Sequence, residues 1–136
     1  MPPFIDADVI VRLITGDDLA KQAAARTFFD RVEAGEIVVD TPVTTIADVA
    51  YVLASPKIYA LPRAEVSAAL GTLVRLPNFR VANRRAVLRA LDLYGATRLD
   101  FGDAFIVASM EGAGATVVVS YDRDFDRVPG IAREEP

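Results

Sequence analysis

Short apolar segments alternate with longer segments of helical spacing along the chain, and this alternation most restricts the fold. The predicted strands are apolar or β-branched runs that end at turn-forming residues, namely 3–5, 37–39, 79–81, 116–120 and 129–131. The predicted helices are 9–14, 19–34, a segment from Pro42 to about Ala54, 63–76, a segment capped by Asn83 and stopped by Gly95, and 100–112. This order predicts a three-layer α/β/α sandwich with a mainly parallel central sheet, in which the run 116–120 is a central strand.

Length and composition narrow the class of protein further. The 136 residues suit a single domain over 1–136. The chain has no His and no Cys, which excludes disulfides, imidazole bases and zinc–thiolate sites, so any bound metal needs oxygen ligands. The net charge of −4 argues against standing, non-specific affinity for nucleic acid. The sequence has neither a basic-then-apolar leader nor an apolar span of roughly 20 residues, so we expect a cytoplasmic protein.

Five aspartates stand where predicted strands end or helices begin: Asp6, Asp8, Asp48, Asp103 and Asp122. The carboxyl ends of parallel strands meet at one rim, which is where an open α/β sheet binds its ligands. Carboxylates gathered there repel one another, and a divalent cation is the simplest compensating charge. Asp6 has the least structural reason for its place, because it directly follows the apolar pair of a predicted strand. The sequence thus suggests a metal-dependent hydrolase.

Three of these five acids also have a purely structural interpretation. Thr45 and Asp48 have the spacing of a helix capping pair in a first helical turn. Asp100 fits an N-cap with Asp103 as its partner three residues later, and Asp8 fits a cap of the first helix. Five further aspartates are expected in turns, Asp40 before Pro42 and the others in contact with solvent: Asp17, Asp18, Asp124 and Asp126.

The order of four segments resembles that of PIN domains of the VapC toxin type: Phe4-Ile5-Asp6-Ala7-Asp8, Ile46-Ala47-Asp48-Val49-Ala50-Tyr51-Val52-Leu53, Asp100-Phe101-Gly102-Asp103-Ala104-Phe105 and Val119-Ser120-Tyr121-Asp122-Arg123-Asp124-Phe125. No single motif is specific, whereas the ordered set is. The resemblance implies that Asp6, Asp103 and Asp122 are catalytic metal-site residues. We assign Asp48 to the same catalytic metal site, although it stands where the family usually has Glu and its side chain is one methylene shorter. Supporting roles are implied for Asp8 and Ser120, and we assign one to Asp100 as the cap.

This resemblance also implies a function. VapC-type proteins are metal-dependent endoribonucleases, so we expect Mg²⁺ or Mn²⁺ as cofactor and hydrolysis of RNA phosphodiesters with a metal-activated water, leaving a 3′-hydroxyl and a 5′-phosphate. Hard oxygen ligands favour these ions over zinc. The implied partners are RNA, a cognate antitoxin protein and a second copy in a homodimer. We assign phosphate binding to four arginines: Arg84, Arg85, Arg98 and Arg123. The stretch 49–61 is rich in large apolar residues and is a candidate partner surface.

Two other functions are compatible with parts of the sequence. The segment Asp6-Ala7-Asp8-Val9 resembles the first motif of haloacid-dehalogenase-type phosphatases. That family needs a downstream lysine near the phosphate, whereas Lys57 is the last lysine of this chain. The second alternative is a non-catalytic PIN-like scaffold that binds RNA or protein, because Asp48 departs from the usual Glu. Metal binding without turnover would distinguish it from an active nuclease.

Overall fold

The computed structural model describes residues 1–136 and confirms an α/β fold with parallel strands. Six helices form most of the molecule: α1 Ala7–Ile14, α2 Leu19–Glu33, α3 Val43–Ala54, α4 Arg63–Val74, α5 Arg84–Ala96 and α6 Phe101–Ala113. A short 3₁₀ helix covers Arg123–Arg127. The strands are short: β1 Val39–Thr41, β2 Phe79–Val81, β3 Val117–Val119 and β4 Ala132–Glu134.

The strands pair in two separate parallel ladders. In the first, β1 lies beside β2 with Val39 opposite Phe79, and Phe4 adds an isolated parallel bridge to Asp40. In the second, β3 pairs with β4. The predicted strand 3–5 is therefore a single bridge, while the strands predicted at 37–39 and 129–131 form a few residues later. Asp40, which we expected in a turn, lies in β1 and forms an ion pair with Arg80.

The prediction of a central position for the strand at 116–120 was wrong. β3 is paired with β4 only. Its outer residues are open to solvent, with Val117 46% and Val119 64% exposed, whereas Val118 is buried. A β-branched apolar run indicates a strand, but it does not determine how many neighbours the strand has.

The helix termini correct two further predictions. Asn83 precedes α5 in a left-handed conformation with φ of 57°, but its side chain forms no capping hydrogen bond. Gly95 does not stop α5, because the helix continues to Ala96. A Cβ on Gly95 would lie 2.9 Å from the Cβ of Ser67 in α4. The glycine thus permits close packing of α4 and α5.

One apolar core of 31 buried residues lies among the helices and the first ladder. Its large, fully enclosed side chains include Ile10, Ile46, Leu70, Phe79 and Leu91, contributed by α1, α3, α4, β2 and α5. α5 packs against both α4 and α6, and α1 packs against α2 and α3. These contacts hold the beginning of α6 and the middle of α3 in fixed positions. No helix has the length and apolar character needed to cross a membrane.

Candidate active site

The first turn of α6 carries two acids in a capping arrangement. The Asp100 carboxylate accepts a hydrogen bond of 2.8 Å from the backbone amide of Asp103, as the sequence predicted for an N-cap. The cap uses one oxygen of Asp100. The Asp103 side chain accepts no hydrogen bond from a backbone amide. Asp103 therefore projects from a helix start whose orientation is fixed by its neighbour.

The segment after β3 brings a second group of polar side chains to the same region. Ser120 Oγ accepts a hydrogen bond of 2.9 Å from the amide of Asp122. Asp122 Oδ1 in turn accepts one of 2.9 Å from the amide of Asp124, so Asp122 is the N-cap of the 3₁₀ helix. Two successive side-chain-to-backbone turns thus determine the orientation of the Asp122 carboxylate.

Asp103 is the acid most affected by its surroundings. Burial, the charge of Asp100, the proximity of Asp122 and the charge of Asp124 together raise the pKa of Asp103 to about 6. These contributions show that the first turn of α6 and the segment after β3 meet, and we call the four residues the acidic cluster. The sequence interpretation of Asp124 as a solvated turn residue missed its place in this cluster. The sequence signal for this place was the spacing of Asp122 and Asp124, because an aspartate side chain often accepts a hydrogen bond from the amide two residues later.

Asp48 lies apart from helix-capping interactions. It is the sixth residue of α3, which begins at Val43 after Pro42, so it falls in the second turn and not the first. Thr45 is a buried residue within the helix, and no side-chain capping bond forms at this terminus. The capping interpretation of Thr45 and Asp48 was therefore wrong. The Asp48 side chain is exposed, forms no hydrogen bond or ion pair, and lines a cavity of about 450 Å³ together with Asp100.

Asp6 and Asp8 lie at a different cavity. Asp6 is the N-cap of α1 and its Oδ1 accepts a hydrogen bond of 2.7 Å from the amide of Ala7, so it has a structural role that the sequence analysis did not expect. Asp8 is exposed in the first turn of α1 and is not the cap. Both acids line a cavity of about 550 Å³ next to α2, with Phe4 and Phe28 among its apolar lining.

The acids do not form a complete metal-ligand set as they stand. No group of three or more acidic side chains is close enough to hold an ion. Asp6, Asp100 and Asp122 each direct an oxygen at a backbone amide. The chemistry of the donors nevertheless fits a hard divalent cation, because the acidic cluster consists of carboxylates whose charges add to the effect of burial in raising the pKa of Asp103. Each of these hydrogen bonds uses Oδ1 only, so the second oxygen of each carboxylate remains available to a cation.

The four arginines assigned to phosphate binding lie in different environments. The Arg84 guanidinium donates to the carbonyl oxygens of Leu76, Pro77 and Phe79, at 3.2, 3.4 and 2.9 Å. Arg85 is exposed and lines a surface cavity with Arg89 and Glu111.

The other two arginines are connected to members of the acidic cluster, one through a shared cavity and one through the sequence. Arg98 lines a small cavity with Asp124, and Arg123 directly follows Asp122. Arg98 and Arg123 are therefore the better placed of the four for a ligand at the acids.

Comparison with known proteins agrees with this architecture. Residues 4–131, nearly the whole chain, match the PIN domain family. No curated protein matches the chain.

Proposed function

The chain belongs to the PIN domain family, and we propose that it is a divalent-metal-dependent endoribonuclease. PIN domains are nuclease domains and generally depend on divalent metal ions. The observation that supports the proposal best is the proximity of Asp103 and Asp122, which contributes to the pKa of about 6 at Asp103. Two adjacent carboxylates that form no ion pair with a basic side chain repel each other, and a bound cation would relieve this repulsion.

In this proposal Asp103 and Asp122 would hold Mg²⁺ or Mn²⁺. The further acids assigned to the site are Asp48, which shares a cavity with Asp100, and Asp6, which lines a separate cavity. A bound divalent ion supplies charge neutralisation at the phosphate and activation of water for hydrolysis. The protein keeps the carboxylates in place through local structure: Asp100 caps α6 ahead of Asp103, and Ser120 fixes the turn at Asp122. With a pKa of about 6, Asp103 is mainly ionised at neutral pH.

RNA is the proposed substrate. The chain has a net charge of −4, so phosphate binding depends on local positive charge next to the acids. Arg98 and Arg123 supply this charge in the proposal, because Arg98 shares a cavity with Asp124 and Arg123 follows Asp122. We assign Arg84 a structural role because its hydrogen bonds go to backbone carbonyls.

The experiment is incubation of purified protein with single-stranded RNA, duplex RNA and single-stranded DNA of equal length, in Mg²⁺, Mn²⁺ or EDTA. The proposal predicts cleavage of single-stranded RNA that requires a metal ion and leaves 5′-phosphate ends. Metal-independent cleavage, or 2′,3′-cyclic phosphate ends, would contradict it. Metal binding with no cleavage across a broad RNA panel would instead favour the non-catalytic scaffold, since Asp48 is shorter than the usual Glu.

We further propose that the protein is the toxin of a VapBC-type pair, inhibited by an antitoxin segment. The supporting feature is the cavity of about 550 Å³ beside α1 and α2, whose lining is mostly apolar and also contains Asp6, Asp8, Lys21 and Arg12, the last of which pairs with Asp17. An apolar segment that ends in an arginine would fit this cavity and pair with the acids. Expression should arrest bacterial growth in this proposal, and normal growth with active, soluble protein would contradict it.

A homodimer is also part of the proposal. Within the apolar stretch 49–61, Tyr51 and Ile58 are exposed, whereas Leu53 is buried and Tyr59 donates a hydrogen bond to Asp17. The surface available to a partner is thus smaller than the sequence suggests. Light scattering of the purified protein tests the stoichiometry directly.

A further inference from the structure

A second feature of the region next to the acids is the cavity that Asp48 and Asp100 share. Its wall combines side chains from α3, the start of α4, the end of α5 and the start of α6. Tyr51, Arg63 and Tyr94 line it together with the two acids. The cavity volume of about 450 Å³ lies within the range of small-molecule sites, roughly 300–1,000 Å³, and is large enough for one nucleotide.

Tyr51 presents an unusually open aromatic ring to this cavity. Its side chain is 75% exposed, and it follows Asp48 by three residues, so both lie on the same face of α3. The ring packs against no other aromatic side chain, and the hydroxyl forms no hydrogen bond. Exposed aromatic rings next to a phosphate-binding region are typical stacking surfaces for unpaired bases.

Arg63 gives the same cavity a positive charge in a fixed position. Its guanidinium carbon lies 3.9 Å from the centre of the Tyr94 ring, and its nitrogens donate to the carbonyl oxygens of Tyr94 and Leu99. No carboxylate forms an ion pair with Arg63. A guanidinium held by stacking and backbone contacts keeps its charge available for a phosphate.

We propose that this cavity binds one nucleotide of single-stranded RNA beside the cleaved phosphate, with the base stacked on Tyr51 and a phosphate near Arg63. The inference rests on the proposed ribonuclease function. A base-paired nucleotide does not fit, because its base is stacked within the duplex and cannot reach the ring. A second copy of the chain is the competing occupant, because Tyr51 also belongs to the exposed part of the stretch 49–61, and the light-scattering outcome given below tests it.

The test measures binding of fluorescent oligoadenylate and of an abasic ribose-phosphate strand of the same length and charge. Ca²⁺ replaces Mg²⁺ to limit cleavage during fluorescence anisotropy. The wild-type protein should bind oligoadenylate about tenfold more tightly than the abasic strand, from stacking on one ring. Tyr51→Ala should bind both strands equally, whereas Tyr51→Phe should keep the preference. Leu19→Ala removes an equally exposed apolar side chain on α2 and should change nothing.

Two outcomes would overturn the inference. One is a wild-type protein that binds the two strands equally, and the other is a Tyr51→Ala variant that keeps the preference. If Tyr51→Ala instead converts a dimer to a monomer in light scattering without altering the preference, Tyr51 belongs to a protein interface. The experiment distinguishes failure of this inference from failure of the nuclease proposal. Base-dependent binding without cleavage in Mg²⁺ would support the nucleotide site and contradict the nuclease. Cleavage together with an unchanged base preference in Tyr51→Ala would support the nuclease and contradict the nucleotide site.

Discussion

The Asp100 carboxylate accepts a 2.8 Å hydrogen bond from the backbone amide of Asp103, so one acid caps the helix that presents the other. The charge of Asp100 is also the second largest cause, after burial, of the raised pKa of Asp103. A single residue thus stabilises α6 and destabilises the ionised form of its neighbour. Substitutions at position 100 separate the two effects.

Asp100→Asn keeps a side-chain oxygen for the cap but removes the charge. We expect the pKa of Asp103 to fall below about 6 while remaining above its ordinary value of 3.8, because burial persists. Carbon-detected NMR titration of the Asp103 carboxyl group measures this change. Asp100→Ala should lose about 1 kcal/mol of stability through the missing cap. An unchanged pKa in Asp100→Asn would contradict the assigned cause.

The raised pKa of Asp103 makes the stability of the metal-free protein depend on pH. Between the ordinary pKa of 3.8 and the folded-state value of about 6, the folded state holds more protons at this residue than the unfolded state. The contribution of Asp103 to stability therefore falls as pH rises through this window. Asp103→Asn should gain about 1 kcal/mol relative to wild type between pH 4 and pH 7, after allowance for solvent screening.

Urea denaturation in EDTA at several pH values measures the difference between the two proteins. Asp30→Asn is the matched control, because Asp30 is an exposed acid on α2 whose side chain forms no hydrogen bond or ion pair. A difference between Asp103→Asn and wild type that does not change with pH would contradict the raised pKa.

Asp48 is predicted to matter for activity and not for stability. Its side chain has no capping, hydrogen-bonding or ion-pair role, so Asp48→Ala should change the free energy of unfolding by less than about 0.5 kcal/mol. The cleavage rate of this variant should fall about 100-fold or more, which is the usual loss when one group of an active site is removed. Asp48→Glu, which restores the usual family residue, should keep activity. Wild-type cleavage by Asp48→Ala would exclude this residue from the site.

Arg84 and Arg85 are adjacent arginines with opposite expectations. Arg84→Ala removes donors to the carbonyl oxygens of Leu76 and Phe79 and should cost about 2 kcal/mol of stability. Arg85→Ala changes an exposed side chain and should be neutral within about 0.5 kcal/mol. Denaturant titrations of the two variants measure both values. Equal stability of the two variants would contradict the structural role of Arg84.

Sequence patterns predicted the helices better than the strands, for a physical reason. α2 and α4 end within two residues of their predicted limits, because amphipathic spacing and helix-ending residues are local signals. The exposure of Val119 depends on which strands pair with β3, and that information is not local.

The same distinction applies to the candidate site. Asp103 and Asp122 were identified from motif order, whereas the place of Asp124 in the acidic cluster and of Arg63 beside Asp100 depends on how distant segments meet. From the sequence, an arginine at the start of a helix that lines a cavity looks the same as one that is surrounded by solvent.

The central claim is that the acidic cluster performs metal-dependent hydrolysis of RNA. The most direct test is single-turnover cleavage of one defined single-stranded RNA in Mg²⁺ by wild type, Asp103→Asn, Asp122→Asn and the Asp30→Asn control, purified in parallel. We predict that the two cluster variants lose activity about 100-fold or more while remaining folded, and that the control cleaves at the wild-type rate. Equal cleavage by all four proteins would place the activity outside the acidic cluster and contradict the account.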